Sequence, residues 1–192
     1  MPTKRLSPGS QVILDEVLND TWDYLFVGDP FTLLRFQREH GLQEDLLAEF
    51  TTTDLGDRAV EEGVVIPLSG IVNQPYTAYF TAHDHEAALL RAESDLQHHQ
   101  RGYRLHLHGE KLVLYTIPYL RSFSAETAER LAESPIRQVV ELSSGWYGVE
   151  ILAGQTVVQG ELEPSLEFVL RPRDEAPEFS GPINYAYRVE AD

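Results

Sequence analysis

The sequence predicts an α+β domain built on a mostly antiparallel β-sheet, either a sandwich or an open barrel, of about seven or eight strands. Helices are expected in the N-terminal third and between strand groups. Three observations lead there. Apolar and polar residues alternate in short runs, as where Tyr147, Val149 and Ile151 flank Gly148 and Glu150. Turn residues such as Gly70, Asn73, Pro75 and Gly109 separate those runs. Helix-start signals are few, the clearest being Gly28-Asp29-Pro30. The 192 residues are read as one domain, with 42% hydrophobic and 24% charged residues close to globular averages.

Element by element, Trp22, Tyr24 and Phe26 alternate ahead of a helix that Asp29 caps and Pro30 begins. Phe31, Leu34 and the stem of Arg38 would share its buried face, flanked by Leu33 and Phe36, and Gly41 would end it. A second short helix is expected over 42–50. Residues 63–68 and 76–80 read as neighbouring strands, and 83–99 as a helix. Residues 101–108 and 111–118 read as a hairpin closed by Gly109-Glu110 in a type II′ turn. Its register sets Leu107 opposite Leu112 and His106 opposite Val113, with the leucines facing the core. A helix over 124–132 and strands at 139–142, 146–152 and 166–170 follow. A loop at 171–182 leads to a terminal strand carrying Tyr185, Tyr187 and Val189.

Cysteine is absent, which excludes thiol nucleophiles, cysteine-bound zinc, iron–sulfur clusters and disulfides. With no apolar run behind Lys4-Arg5 and none long enough for a membrane span, a cytoplasmic location without membrane contact is expected. The formal charge of −16 argues against nucleic acid as a direct ligand, because phosphate binding needs a positive surface. The excess is local: residues 15–62 hold thirteen acids against three arginines, whereas 91–137 hold six acids against seven bases. No phosphate-binding glycine loop is found, and Ser143-Ser144-Gly145 is not a hydrolase elbow, so no residue is identified as catalytic.

Six of the seven histidines fall between 83 and 108. Alternate residues of a strand share a face, so His106 and His108 are candidate ligands for a divalent transition metal, with Asp84 or Glu110 as a further ligand. The pair resembles the His-x-His strand of the cupins, but the spaced glycines and distant histidine of that family are missing, so no role is carried over. If helical, His83 and His85 would point about 200° apart and could not share an ion. The ordinary polar face of an exposed hairpin is the simpler explanation of this pair.

Three functional readings follow. The first is an interaction domain that binds or neutralises a basic protein, in the manner of an inhibitor or immunity protein, through Asp15, Glu16, Asp20, Asp23, Glu44, Asp45 and Glu49. An exposed tryptophan or tyrosine beside the acidic segment would suit the centre of such an interface. The second is a metal-dependent enzyme or small-ligand binder using His106 and His108. The third is a structural domain without catalytic activity, self-associating through a sheet edge. The first needs no cofactor and is preferred.

Overall fold

The computed structural model describes residues 4–17, 22–133 and 139–190, except for the side chain of Glu16. In chain order the strands are β1 (Lys4–Arg5), β2 (Gln11–Val17), β3 (Tyr24–Gly28), β4 (Val65–Ser69), β5 (Tyr76–Ala82), β6 (Asp95–Leu107), β7 (Lys111–Tyr115), β8 (Val139–Glu141), β9 (Gly145–Val158) and β10 (Glu161–Arg173). The helices are α1 (Pro30–Glu39), α2 (Leu46–Thr52), α3 (Leu55–Glu61) and α4 (Ala125–Glu133). Two five-stranded sheets form, ordered β1-β8-β7-β3-β4 and β2-β5-β10-β9-β6. Most pairs are antiparallel, but β1–β8 and β5–β10 are parallel, so both sheets are mixed. No described helix is long and apolar enough to cross a membrane.

The layers follow from which faces are apolar. Leu25 and Val27 of β3, Ile66 and Leu68 of β4, and Leu112 and Leu114 of β7 meet Phe80, Leu105, Leu107, Ile151 and Phe168 of the second sheet in one buried core. The opposite side of the first sheet, with Phe26, Val65, Val113 and Tyr115, packs on Leu33 and Phe36 of α1, Leu46 of α2 and Leu131 of α4. The first sheet is therefore the middle layer, buried on both faces, and its strands read as unbroken apolar runs for that reason. In the second sheet the end of β6 and the start of β9 alternate, whereas all seven residues of β5 are buried.

Several sequence expectations change in this arrangement. Residues 83–99 do not form a helix. They make a turn, a short 3-10 segment at Ala88–Leu90 and the start of β6, which runs thirteen residues. The hairpin at 101–118 does not form either, because β6 pairs with β9 while β7 pairs with β3 and β8. Both leucine rows do reach the same core, but from opposite sheets. Gly109-Glu110 is thus a crossing between sheets, and the left-handed residue is Glu110 (φ 56°), not Gly109. Likewise β4 and β5 lie in different sheets.

Other changes are smaller. The buried stripe of α1 is Leu33, Phe36 and Gln37, with Phe31 and Leu34 only half-buried. The helix expected at 42–50 is displaced to Leu46–Thr52, where Asp45 caps it by accepting from the Ala48 amide. The terminal segment docks with Tyr187 and Val189 buried, but through a single parallel bridge between Ser69 and Ala186. Residues 171–173, expected in the loop, complete β10.

On the outer face of the second sheet, Glu167 is fully buried and fastens the 3-10 segment. Its carboxylate accepts from Thr81 Oγ1 (2.6 Å), Gln11 Nε2 (3.1 Å), and the amides of Ala88 (2.9 Å) and Leu89 (2.8 Å). Glu167→Gln turns one acceptor into a donor facing donors. It should lower unfolding stability in urea by about 1–3 kcal/mol. Native-state hydrogen exchange at Ala88 and Leu89 should accelerate, which checks the cause locally.

Candidate functional site

The site is built around Asp29, only 1% exposed. As the cap of α1 it accepts from the Phe31 amide (2.8 Å) through Oδ1. Its Oδ2 accepts from the amides of His108 and Gly109, both at 2.6 Å, and from Thr32 Oγ1 at 3.2 Å. One carboxylate therefore ties the start of a helix to the chain crossing between the sheets. A Cβ at 109 would run into the Phe31 ring, so glycine is needed there for clearance.

With α1 held against the end of β6, five side chains line up. Arg104 lies over the Trp146 indole, its guanidinium carbon 5.7 Å from the ring centre. Trp146 stacks on His106 at 4.2 Å and 6°, and His106 meets His108 at 4.2 Å and 57°. His108 Nε2 is 2.7 Å from Arg35, and its Nδ1 is 3.0 Å from Thr32 Oγ1. Since guanidinium can only donate, Nε2 accepts and Nδ1 carries the proton. The column is a run of rings with an arginine at each end, and it walls a cleft of about 350 Å³ whose other side includes Thr32, Phe36, Glu39 and Glu62.

Charge in the cleft is partly answered within it. Arg35 pairs with Glu39 (2.6 Å), and Arg58 pairs with Glu62 (3.1 Å). Among the described residues, Arg104 donates to the carbonyls of Glu61 (2.6 Å) and Pro177 (2.8 Å). Burial pushes the His106 pKa below its ordinary 6.5, with His108 and Arg35 adding to the effect and Asp29 opposing it. A neutral imidazole between arginines is the electrostatically consistent state.

The candidate metal ligands are only partly gathered. His106 and His108 adjoin, but both nitrogens of His108 are engaged as above. Asp84 lies elsewhere, accepting from the Gly9 amide at 2.7 Å, and Glu110 is exposed at the crossing. Among the described residues no three histidine, aspartate or glutamate side chains gather in a way that could hold an ion. His98 and His99 do not end a helix. His98 bridges the Tyr185 hydroxyl and the Arg188 carbonyl, and His99 pairs with Glu150 (2.9 Å).

The candidate acidic residues also divide. Glu44, Asp45 and Glu49 sit together at the start of α2. Asp23 is exposed in the turn before β3, beside Trp22. Asp15 is exposed on β2, in the other sheet, and Asp20 lies outside the described residues, as does the Glu16 side chain. Trp22 is 51% exposed, with the Arg121 guanidinium 4.8 Å over its ring. Two residues beyond Arg121, the Phe123 amide donates to the Glu44 carbonyl, joining this aromatic to the acidic end of α2.

Strand alternation placed His106 and His108 on one face, but Arg35 and Trp146 were missed. Trp146 arrives by pairing with His106 across β6 and β9, and Arg35 by the docking of α1. No short-range signal marks either contact.

The lowered His106 pKa fixes a sign. The folded chain takes up this proton less readily than the unfolded chain, so stability attached to His106 is present above about 6.5 and is lost as pH falls towards the folded midpoint. Histidine NMR titration should give His106 a midpoint below 6.5. Stability measured across that window should fall less steeply in His106→Gln.

No protein-family model matches the chain, and no curated protein sequence matches it. Two solved structures show a loose likeness. One, described as crocagin biosynthetic gene J, is 11% identical with a TM-score of 0.39, over 83% of this chain and 94% of that one. The other, ComJ of Bacillus subtilis, described as an inhibitor of the DNA-degrading activity of NucA, is 9% identical with a TM-score of 0.41, over 85% of this chain and 96% of that one. Scores this low carry no function from either protein to this chain.

Proposed function

We propose that this domain binds a basic protein through its helical layer, covering or neutralising it as an inhibitor does. The observation that carries the reading is Trp22, a half-exposed indole held by Arg121 beside Asp23 and the acidic end of α2. An exposed tryptophan already restrained by an arginine gives a partner a large apolar contact with little further ordering, and such residues centre many interfaces.

The charge around it supports the same reading. Exposed acids include Glu44, Asp54, Asp57 and Glu61 at the α2–α3 end and Glu126, Glu129 and Glu133 on α4. The cations there, Arg38, Arg58, Arg121 and Arg130, are fewer. Arg58 is paired with Glu62, while Arg121 and Arg130 lie over aromatic rings. A layer of this sign steers a positive partner and repels nucleic acid, and salt weakens that attraction.

Affinity capture by the whole chain, repeated with Trp22→Ser and Glu44→Lys, tests it. A basic protein should be retained at low ionic strength and less so at high. Its affinity should drop by at least about 2 kcal/mol, roughly 30-fold, in Trp22→Ser. Glu163→Lys, an exposed change on β10 in the other sheet, should leave retention intact. Capture that ignores both Trp22 and salt would sink the proposal.

A further inference from the structure

The cleft beside α1 is built differently from the acidic layer. Its surface is rich in hydrogen-bond donors that have no acceptor. The indole N–H of Trp146 and both ring nitrogens of His106 make no hydrogen bond to described residues. Arg35 uses Nε on Glu39 and one terminal nitrogen on His108, which leaves the other terminal nitrogen. Arg104 uses Nε and one terminal nitrogen on two carbonyls, with the same remainder. Of the charged side chains that line the cleft, Arg35 and Arg104 stand against Glu39 and Glu62. Within a chain of formal charge −16, the charges lining this cleft therefore balance.

We propose that this cleft binds a small anionic molecule, its carboxylate or phosphoryl oxygens received along the wall by Arg104, Trp146, His106 and Arg35. The remaining guanidinium N–H groups suit such oxygens because a charged donor makes a shorter, stronger hydrogen bond to an anionic oxygen. Asp29 and the ring stacking preset the positions of His106 and Trp146, so little ordering is required on binding. Metal chemistry fits the same side chains less well. Arg35 occupies His108 Nε2, and the two arginines would repel a cation. About 350 Å³ admits a ligand of metabolite size, with room for an apolar part against Phe36 and Val64.

The whole chain, with nitrogen-15 in histidine and tryptophan side chains, can be titrated separately with inorganic phosphate, succinate and zinc ion. Physiological ionic strength should be used, since it screens the protein's own charge beyond about 8 Å. Phosphate or succinate should shift the His106 and Trp146 ring resonances and leave Trp22 unmoved, with a dissociation constant on the order of 1 mM. Whichever of the two binds identifies the oxyanion. Arg35→Gln and Arg104→Gln should each weaken binding at least about tenfold, or about 1.4 kcal/mol. Because Arg104 also holds the end of α3 and the loop at Pro177, Trp146→Phe serves as the control that keeps an aromatic ring on His106 and removes the N–H with part of the indole; it should weaken binding without altering thermal stability by more than a few degrees. Shifts from zinc alone, no shift from either anion, or shifts that persist unchanged in Arg35→Gln and Trp146→Phe would each overturn the proposal.

Discussion

The site rests on one buried carboxylate. Asp29 accepts four hydrogen bonds from three parts of the chain: the first turn of α1, the end of the β6 line and the crossing to β7. A charge this deeply buried is tolerated only when every oxygen is occupied, and three of the four donors here are backbone amides that no other group serves. Its bonds fix the angle at which α1 meets the sheets. The position of Arg35 follows from that angle, and so does the contact between Arg35 and His108. Glu167 plays the corresponding part on the far side, holding Ala88 and Leu89 against the outer sheet. In both places a carboxylate replaces what a longer apolar contact would otherwise supply.

Charge in this protein is unevenly spread. Acids crowd the helices over the first sheet, while β6 and β10 of the second carry Arg101, Arg104, Arg171 and Arg173 alongside Asp95, Glu161, Glu163 and Glu167. The two regions suit different kinds of contact. An acidic layer with one exposed indole offers reach and electrostatic steering. A cleft of directed donors offers a short list of hydrogen bonds at fixed positions. Separation matters physically, because at physiological salt a charge beyond about 8 Å is largely screened, so each region acts on its own.

Much of the local structure could be read directly. Asp29-Pro30 marked the start of α1, Ser124 the start of α4, and alternation around Tyr147 a strand, because capping and pleating depend on neighbours in the chain. Helix and strand were confused over 83–99. That stretch is polar and irregular, and its extended part is held by β9 on one side and by the docked terminal segment on the other. The hairpin failed for a different reason. Two alternating strands joined by two residues satisfy hairpin geometry locally, and only the pairing of β6 with β9 and of β7 with β3 and β8 puts them in two sheets.

The sequence by itself determined the class of the domain, the absence of cysteine chemistry, the strong negative charge and its concentration in residues 15–62, because these are sums over residues or patterns of near neighbours. It also put His106 and His108 on one face, since strand periodicity needs no partner. Tertiary structure alone decided that Trp146 stacks on His106, that Arg35 closes the column, and that Trp22 stays exposed beneath Arg121. Those contacts join residues 40, 73 and 99 positions apart. Nothing along the chain encodes such distances until two sheets and a helical layer have packed together.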